Sequence, residues 1–339
     1  IRYLYTPDSA AYIEAARNLI AGKGLVTSSS LAEAAPTAPL TLFPPGFPLL
    51  IAGVAIVTGL DAASAAITVS WASWVLLPSA LFFALSPLLR RGHVHLLSVL
   101  VVTSPGMAEN GWLALSDTSF LVLIITSFGL LIRAATLREG GAAQAMIGAG
   151  LLCGFAYLLR NSGTAAFVAT AFSFACMAVF RAVALRTALK WLGWWSIGVL
   201  AAVIPLWIRN LAVFGTLQPY QMPPSDIDLL TNIRTYLQST LIDISGVKVI
   251  GMIAWDITTL LPVTAVFAFA GLAATPKLFL AWKGSTLEEK LGITLLGSYL
   301  IAGASMVILA RTLYQWGEPI NLRHVIQYDW ALFALVSIA

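Results

Sequence analysis

The stretch Phe47-Pro48-Leu49-Leu50-Ile51-Ala52-Gly53-Val54-Ala55-Ile56-Val57-Thr58-Gly59-Leu60 decides how the rest of the chain is threaded. It is apolar, but only 14 residues long, and Pro44, Pro45 and Pro48 stand at its front. A helix needs about 20 apolar residues to cross a bilayer. A piece this short reads as lying in the interface or re-entering. Counted as a span, it would invert every loop that follows.

Beyond it the apolar blocks lengthen. Spans are expected at Ala62–Leu89, Gly92–Met107, Leu113–Ile132, Ala143–Leu159, Gly163–Phe180, Lys190–Ile208, Val249–Thr275 and Leu291–Ala310. The run Tyr328–Ala339 begins a ninth. The chain opens without an initiator Met and closes inside an apolar run, so a further helix is expected beyond each end. The fold class is therefore all-α: a polytopic helix bundle over 62–339, preceded by an outer loop with interfacial helices over 1–61.

Composition agrees. The 339 residues are 59% hydrophobic and 10% charged, against about 25% charged in soluble domains. Alternating ten-residue strands are absent, which argues against a β-barrel. The formal charge of +4 is modest and scattered, so no nucleic-acid partner is indicated. The two cysteines, Cys153 and Cys176, lie in apolar blocks and suggest no disulfide framework.

Orientation follows from the basic residues. With Phe47–Leu60 kept on the surface, Arg90, Arg91, Arg133, Arg138, Arg181, Arg186, Lys190, Lys277, Lys283 and Lys290 fall in one set of four short loops. The other set holds Arg160, Arg209, Arg234, Lys248, Arg311 and Arg323, mostly in longer connections. The first set is cytoplasmic by the positive-inside rule. Of the 15 acids, only Glu139, Glu288 and Glu289 then lie on that side. Acids and arginines meet only on the outer face, so chemistry is expected there.

Each candidate has a structural reading beside its functional one. Asp8 precedes a short helix and serves as its N-cap, as a general base, or as both. Tyr12 lies on the apolar stripe of that helix. Glu109 is a loop acid, and Asp117 at the first turn of a span suits the helix dipole. Arg160, Arg209 and Arg323 either snorkel to headgroups or grip a phosphate with the guanidinium fork. His324 adds to the basic group. Asp256, inside a span, is costly and so suspect by default. The segment 216–247 reads as an interfacial helix or lid. No Walker loop, dinucleotide fingerprint, HExxH or CxxC is present. No cofactor is identified; a divalent cation is compatible with the acids but no motif indicates one.

The order of these features resembles the GT-C superfamily of membrane glycosyltransferases, near the bacterial relatives of protein mannosyltransferases and the lipid A aminoarabinose transferase. Asp8 is followed by Tyr12, an Ala-Ala-x-x-Leu and a Gly-x-Gly; Pro44-Pro45-Gly46-Phe47-Pro48-Leu49-Leu50 comes next. Then come Ser116-Asp117, Leu158-Leu159-Arg160, a Pro-x-Trp-x-Arg-Asn ending at Asn210, and Arg323-His324. The resemblance implies a polyprenyl-phosphate-linked sugar as donor and a lipid, glycan or protein acceptor. It implies an integral protein of the bacterial inner membrane whose site faces outward among membrane lipids. It matches Asp8 to the catalytic acid of the first loop and Asp117 to the second-loop acid. It puts Arg160, Arg209 and Arg323 near the lipid phosphate. Ser9 follows Asp8 where the family has a second acid, which weakens a metal site, and His324 stands where Tyr is usual. The competing reading is a transporter or flippase of a lipid-linked solute, which predicts paired repeats and midplane charges.

Overall fold

The computed structural model describes residues 5–28, 38–41, 43–219, 223–245, 282–314 and 319–338. The expected span Val249–Thr275, with Asp256, lies outside them. The described chain is an all-α membrane bundle with one two-residue antiparallel strand pair, β1 (Val26–Thr27) against β2 (Ala38–Pro39).

Helix α1 (Pro7–Ile20) starts where its first turn is best satisfied. Thr6 is the N-cap: its hydroxyl accepts from the Ser9 amide, and Ser9 answers by accepting from the Thr6 amide. Pro7 takes the first helical position, where no amide donor is needed. Asp8 is therefore not the cap, which corrects that reading and leaves its carboxylate available for a distant partner. Glu14 then grips the strand that follows, accepting from Thr27 Oγ1 at 2.7 Å and the Ser28 amide at 3.0 Å.

Helix α2 (Gly46–Thr58) is the proline-led stretch. Its 13 residues reach about 20 Å, well short of the roughly 30 Å hydrocarbon core. Phe47, Ile51 and Ala52 are buried, while Ile56 and Val57 are exposed. Tyr12 of α1 packs on it, 4.8 Å from the Phe43 ring and 5.1 Å from Phe47. At Gly46 an added Cβ would lie 2.4 Å from the Leu158 carbonyl oxygen. Only glycine lets α2 abut the turn that carries Arg160.

The bundle continues with α3 (Ala62–Leu85), α4 (Arg91–Val102), α5 (Pro105–Asn110), α6 (Asp117–Ala134), α7 (Glu139–Leu159), α8 (Gly163–Val179), α9 (Leu185–Phe214), α10 (Leu229–Ser245), α11 (Leu287–Leu313) and α12 (Leu322–Ile338). Five of these, α3, α6, α7, α9 and α11, are long and apolar enough to cross a membrane. Only a third of the most apolar windows of α3 and α11 is buried. Their outward side chains are thus apolar too, a surface that suits hydrocarbon rather than water. Helix α6 is the most enclosed of the five. Helix α8, at 17 residues, sits at the lower limit for crossing.

Most expected boundaries shift by a few residues, α6 for one starting at Asp117 and not at Leu113, and three shifts change the reading. Gly92–Met107 is not one helix: α4 stops at Val102, Ser104 is extended, and α5 starts at Pro105. Proline disfavours helical backbone in the residue before it, and Ser104 caps the new start by accepting from the Met107 amide. Helix α9 does not end at Arg209-Asn210 but runs on to Phe214, closing at Gly215 with φ of +71°. The last helix begins at Leu322, six residues before the apolar run, because Asn321 caps it by accepting from the Arg323 amide at 3.1 Å. Arg323 and His324 are therefore in its first turn, not in a loop.

Helices α7 and α9 approach through small residues. A Cβ on Gly150 would meet the Trp195 carbonyl oxygen at 2.0 Å, and one on Gly198 would meet that of Ile147 at 2.1 Å. Without a hydrophobic drive between helices in lipid, such close backbone contact supplies the packing.

Candidate active site

Asp117 is fully buried at the first turn of α6, yet it is a charged group with charged partners. Its Oδ1 accepts from Arg160 Nη1 at 2.7 Å and its Oδ2 from Arg323 Nε at 3.1 Å. Arg323 Nη1 donates onward to Asp8 Oδ2 at 2.5 Å. Asp8, Arg323, Asp117 and Arg160 thus form one chain of ion pairs drawn from α1, α12, α6 and the turn after α7. The chain is graded: Asp117 is sealed, both arginines are 17% exposed, and Asp8 is 28% exposed. Two acids balance two guanidinium groups, and burial strengthens the attraction between them.

Local structure explains each position. Arg160 follows the last residue of α7 in extended backbone, φ −151° and ψ +136°, and α8 restarts three residues later. Its side chain turns inward to Asp117 instead of snorkelling to headgroups. The Asn321 cap turns Arg323 into the helix face that meets α6. Beneath the chain lies an aromatic layer in which Phe128 packs edge-on to Tyr299 at 5.2 Å and Trp330 stands 6.0 Å from Tyr299.

The other expected residues divide. Tyr12 is buried beside the chain, its phenol oxygen 3.4 Å from Ser116 Oγ, and burial pushes that phenol up. His324 pairs through Nδ1 with Asn321, at 2.9 Å from Oδ1 and 3.2 Å from the amide. Arg209 is not in the ion chain. It donates to the Leu40 carbonyl at 3.3 Å and to Asn210 Oδ1 at 3.1 Å, with its guanidinium 5.4 Å from the Phe214 ring centre. It lines a shallow, solvent-open cleft together with Pro44, Pro45, Asn161 and Gln218. Because Asn161 directly follows Arg160, cleft and ion chain meet at one turn. Glu109 is exposed on α5, where its charge acts on Asp243. Among the described residues no three of His, Cys, Asp and Glu gather as a metal site.

Sequence reading missed Gln327, which donates to Asp117 Oδ1 at 3.4 Å, and Asn161 and Gln218 in the cleft wall. It also missed a second polar cluster. Asp243 of α10 is 2% exposed and accepts from the Gly106 amide of α5; Asp329 of α12 faces it together with Thr240. The signal for Gln327 was its place four residues after Arg323, visible only once the helix starts at Leu322.

Burial raises the Asp243 carboxyl, although bonds from Gly106, Ser104 and Asp329 oppose the rise. A carboxyl raised in the folded state contributes stability below its unfolded value, near 3.9. That contribution disappears as pH climbs through the folded value. Asp243→Asn should therefore match the wild type near pH 4 and become the more stable of the two as pH rises. Thermal unfolding in detergent across that range checks this; a pH-independent gap contradicts it.

No protein-family model and no curated protein matches the chain. Two solved structures do. The crystal structure of ArnT from Cupriavidus metallidurans bound to undecaprenyl phosphate is 14% identical, with a TM-score of 0.61, over 99% of this chain and 56% of that one. The apo structure of the same protein is 13% identical, with a TM-score of 0.55, over 99% and 55%. The chain thus spans just over half the length of those proteins. At this identity the likeness shows a shared fold and nothing finer.

Proposed function

We propose that the chain transfers a sugar from a polyprenyl-phosphate donor to a lipid, glycan or protein acceptor at the outer face of a bacterial inner membrane. The observation that carries the reading is the Asp8–Arg323–Asp117–Arg160 chain, with a carboxylate at its solvent edge and a second arginine-bearing cleft one turn away. A solved neighbour of the same fold is bound to undecaprenyl phosphate, which supports the same lipid class here.

In this reaction the donor phosphate is already a fair leaving group. The protein must align the two substrates, take a proton and hold phosphate charge. Asp8 accepts the proton of the acceptor hydroxyl as its oxygen bonds to the anomeric carbon. The bond from that carbon to the phosphate oxygen breaks, and the lipid phosphate leaves with the electron pair. Attack opposite the leaving group inverts the anomeric centre. Arg323 fixes the Asp8 carboxylate, Asp117 fixes Arg323, and Arg160 completes the buried end of the chain. Arg209 in the cleft holds the phosphate, its fork suited to two oxygens at once. Alignment supplies up to about 7–11 kcal/mol of barrier lowering, more than any single contact.

The test is incubation of the purified full-length protein with a panel of polyprenyl-phosphate hexoses and pentoses. Release of free polyprenyl phosphate from one of them is expected. Movement of intact donor across the bilayer without release would favour the transporter. Arg209→Ala should raise the donor KM about tenfold or more, the worth of about 1.5–3 kcal/mol for a hydrogen bond to a charged group. The acceptor KM should stay constant. Equal effects on both substrates would make Arg209 structural.

A further inference from the structure

Gln327 is 2% exposed and stands one turn after Arg323 on α12. Its Nε2 donates to two acceptors, Asp117 Oδ1 at 3.4 Å and the Arg323 carbonyl at 3.2 Å. Turning the amide over would set its oxygen against a carboxylate and a carbonyl, so its orientation is fixed. The outcome is that Oε1 is buried with no donor among the described residues. Its own carbonyl accepts from Trp330 Nε1 at 3.1 Å, which anchors the residue to the aromatic layer.

A buried acceptor without a donor costs stability. A methionine of similar shape would fill the same space without that cost, so packing does not explain the amide. What the amide adds is a neutral tie between the first turns of α6 and α12. It joins Asp117 to the backbone of the very residue whose side chain reaches Asp8, and it leaves the balance of charge in the chain unchanged.

Resting on the transferase reading, we propose that Gln327 is a positioning residue: it sets where α12 meets α6, and so where Arg323 holds Asp8. At 2% exposure it is sealed from solvent, so it is expected to act through Asp117 and Arg323 and not on donor or acceptor.

The experiment uses the full-length protein and whichever donor of the panel is turned over. Gln327→Met keeps the shape and removes the donor group. It should lower kcat about tenfold to 10²-fold, the effect of a base displaced by about 1 Å. The donor KM should stay within about twofold, as no contact with substrate is lost, and Tm should not fall. Gln327→Glu, which sets a carboxylate against Asp117, should be worse than Gln327→Met. A wild-type kcat in Gln327→Met overturns the assignment, as does a kcat loss that follows a fall in Tm.

A second measurement is independent of turnover. Spin labels at Arg17→Cys on α1 and Val336→Cys on α12, both exposed positions, report the distance between those helices once Cys153 and Cys176 are replaced. Gln327→Met should shift or broaden that distance; an unchanged distribution overturns the positioning role. If no donor of the panel is consumed by the wild type, the transferase reading falls while the spin-label result still decides the role of Gln327.

Discussion

Asp8→Asn is expected to lower sugar transfer by about 10²–10⁴-fold, the range supplied by a positioned base, in a protein that inserts and purifies normally. The asparagine keeps the size of the side chain, and its carbonyl oxygen can still accept from Arg323. What it loses is the capacity to take a proton. Asp8 is the most exposed member of the ion chain, at 28% against 0% for Asp117, so loss of its charge should cost less stability than loss of the sealed carboxylate. Function and stability should therefore separate in this variant. Paired measurements of lipid-phosphate release and Tm check this, and full activity in Asp8→Asn would remove the residue from the mechanism.

The opposite separation is expected at Asp117. It is fully buried, and Arg160 and Arg323 both depend on it. Asp117→Ala leaves two guanidinium groups in the interior with only Asp8 to balance them. Breaking a buried pair from one side costs about 3–5 kcal/mol, so the variant should be recovered in low yield with a clearly lowered Tm. A Tm within a degree or two of the wild type would mean that solvent already reaches the chain. Under the proposed transfer the two acids thus have different tasks: Asp8 at the rim would take the proton, while Asp117 in the interior pairs with both arginines.

Much of this was legible in the residues. The spans α3, α6, α7, α9 and α11 show as long apolar blocks, and the proline-led stretch at Gly46–Thr58 is a helix too short to cross. That Asp8, Asp117, Arg160 and Arg323 belong together could be suspected from their order and common side. Their bonding could not. Asp8 looks like a cap until Thr6 and Ser9 are seen to close the first turn between them. The break after Val102 was readable in Ser104-Pro105, but the surrounding hydropathy hid it. Hydropathy rises only at Tyr328, which hides the start of the last helix at Leu322. Its true start depends on a single capping side chain, Asn321, and Gln327 stayed invisible with it. Arg209 resembles the other arginines in sequence, and only tertiary structure separates it from the ion chain and puts it in the cleft with Pro44, Pro45 and Gln218. Asp243 and Asp329 lie far apart in sequence in stretches with no motif, and no local pattern brings them together.

The proposed chemistry is performed by the Asp8-bearing chain from the outer side of the membrane. Its most direct test is sidedness of turnover, using sealed vesicles of known orientation and a water-soluble, short-chain polyprenyl-phosphate sugar added outside. Release of the short-chain phosphate is predicted in right-side-out vesicles alone, and should vanish with Asp8→Asn. Release confined to inverted vesicles, or undiminished in Asp8→Asn, would contradict the account.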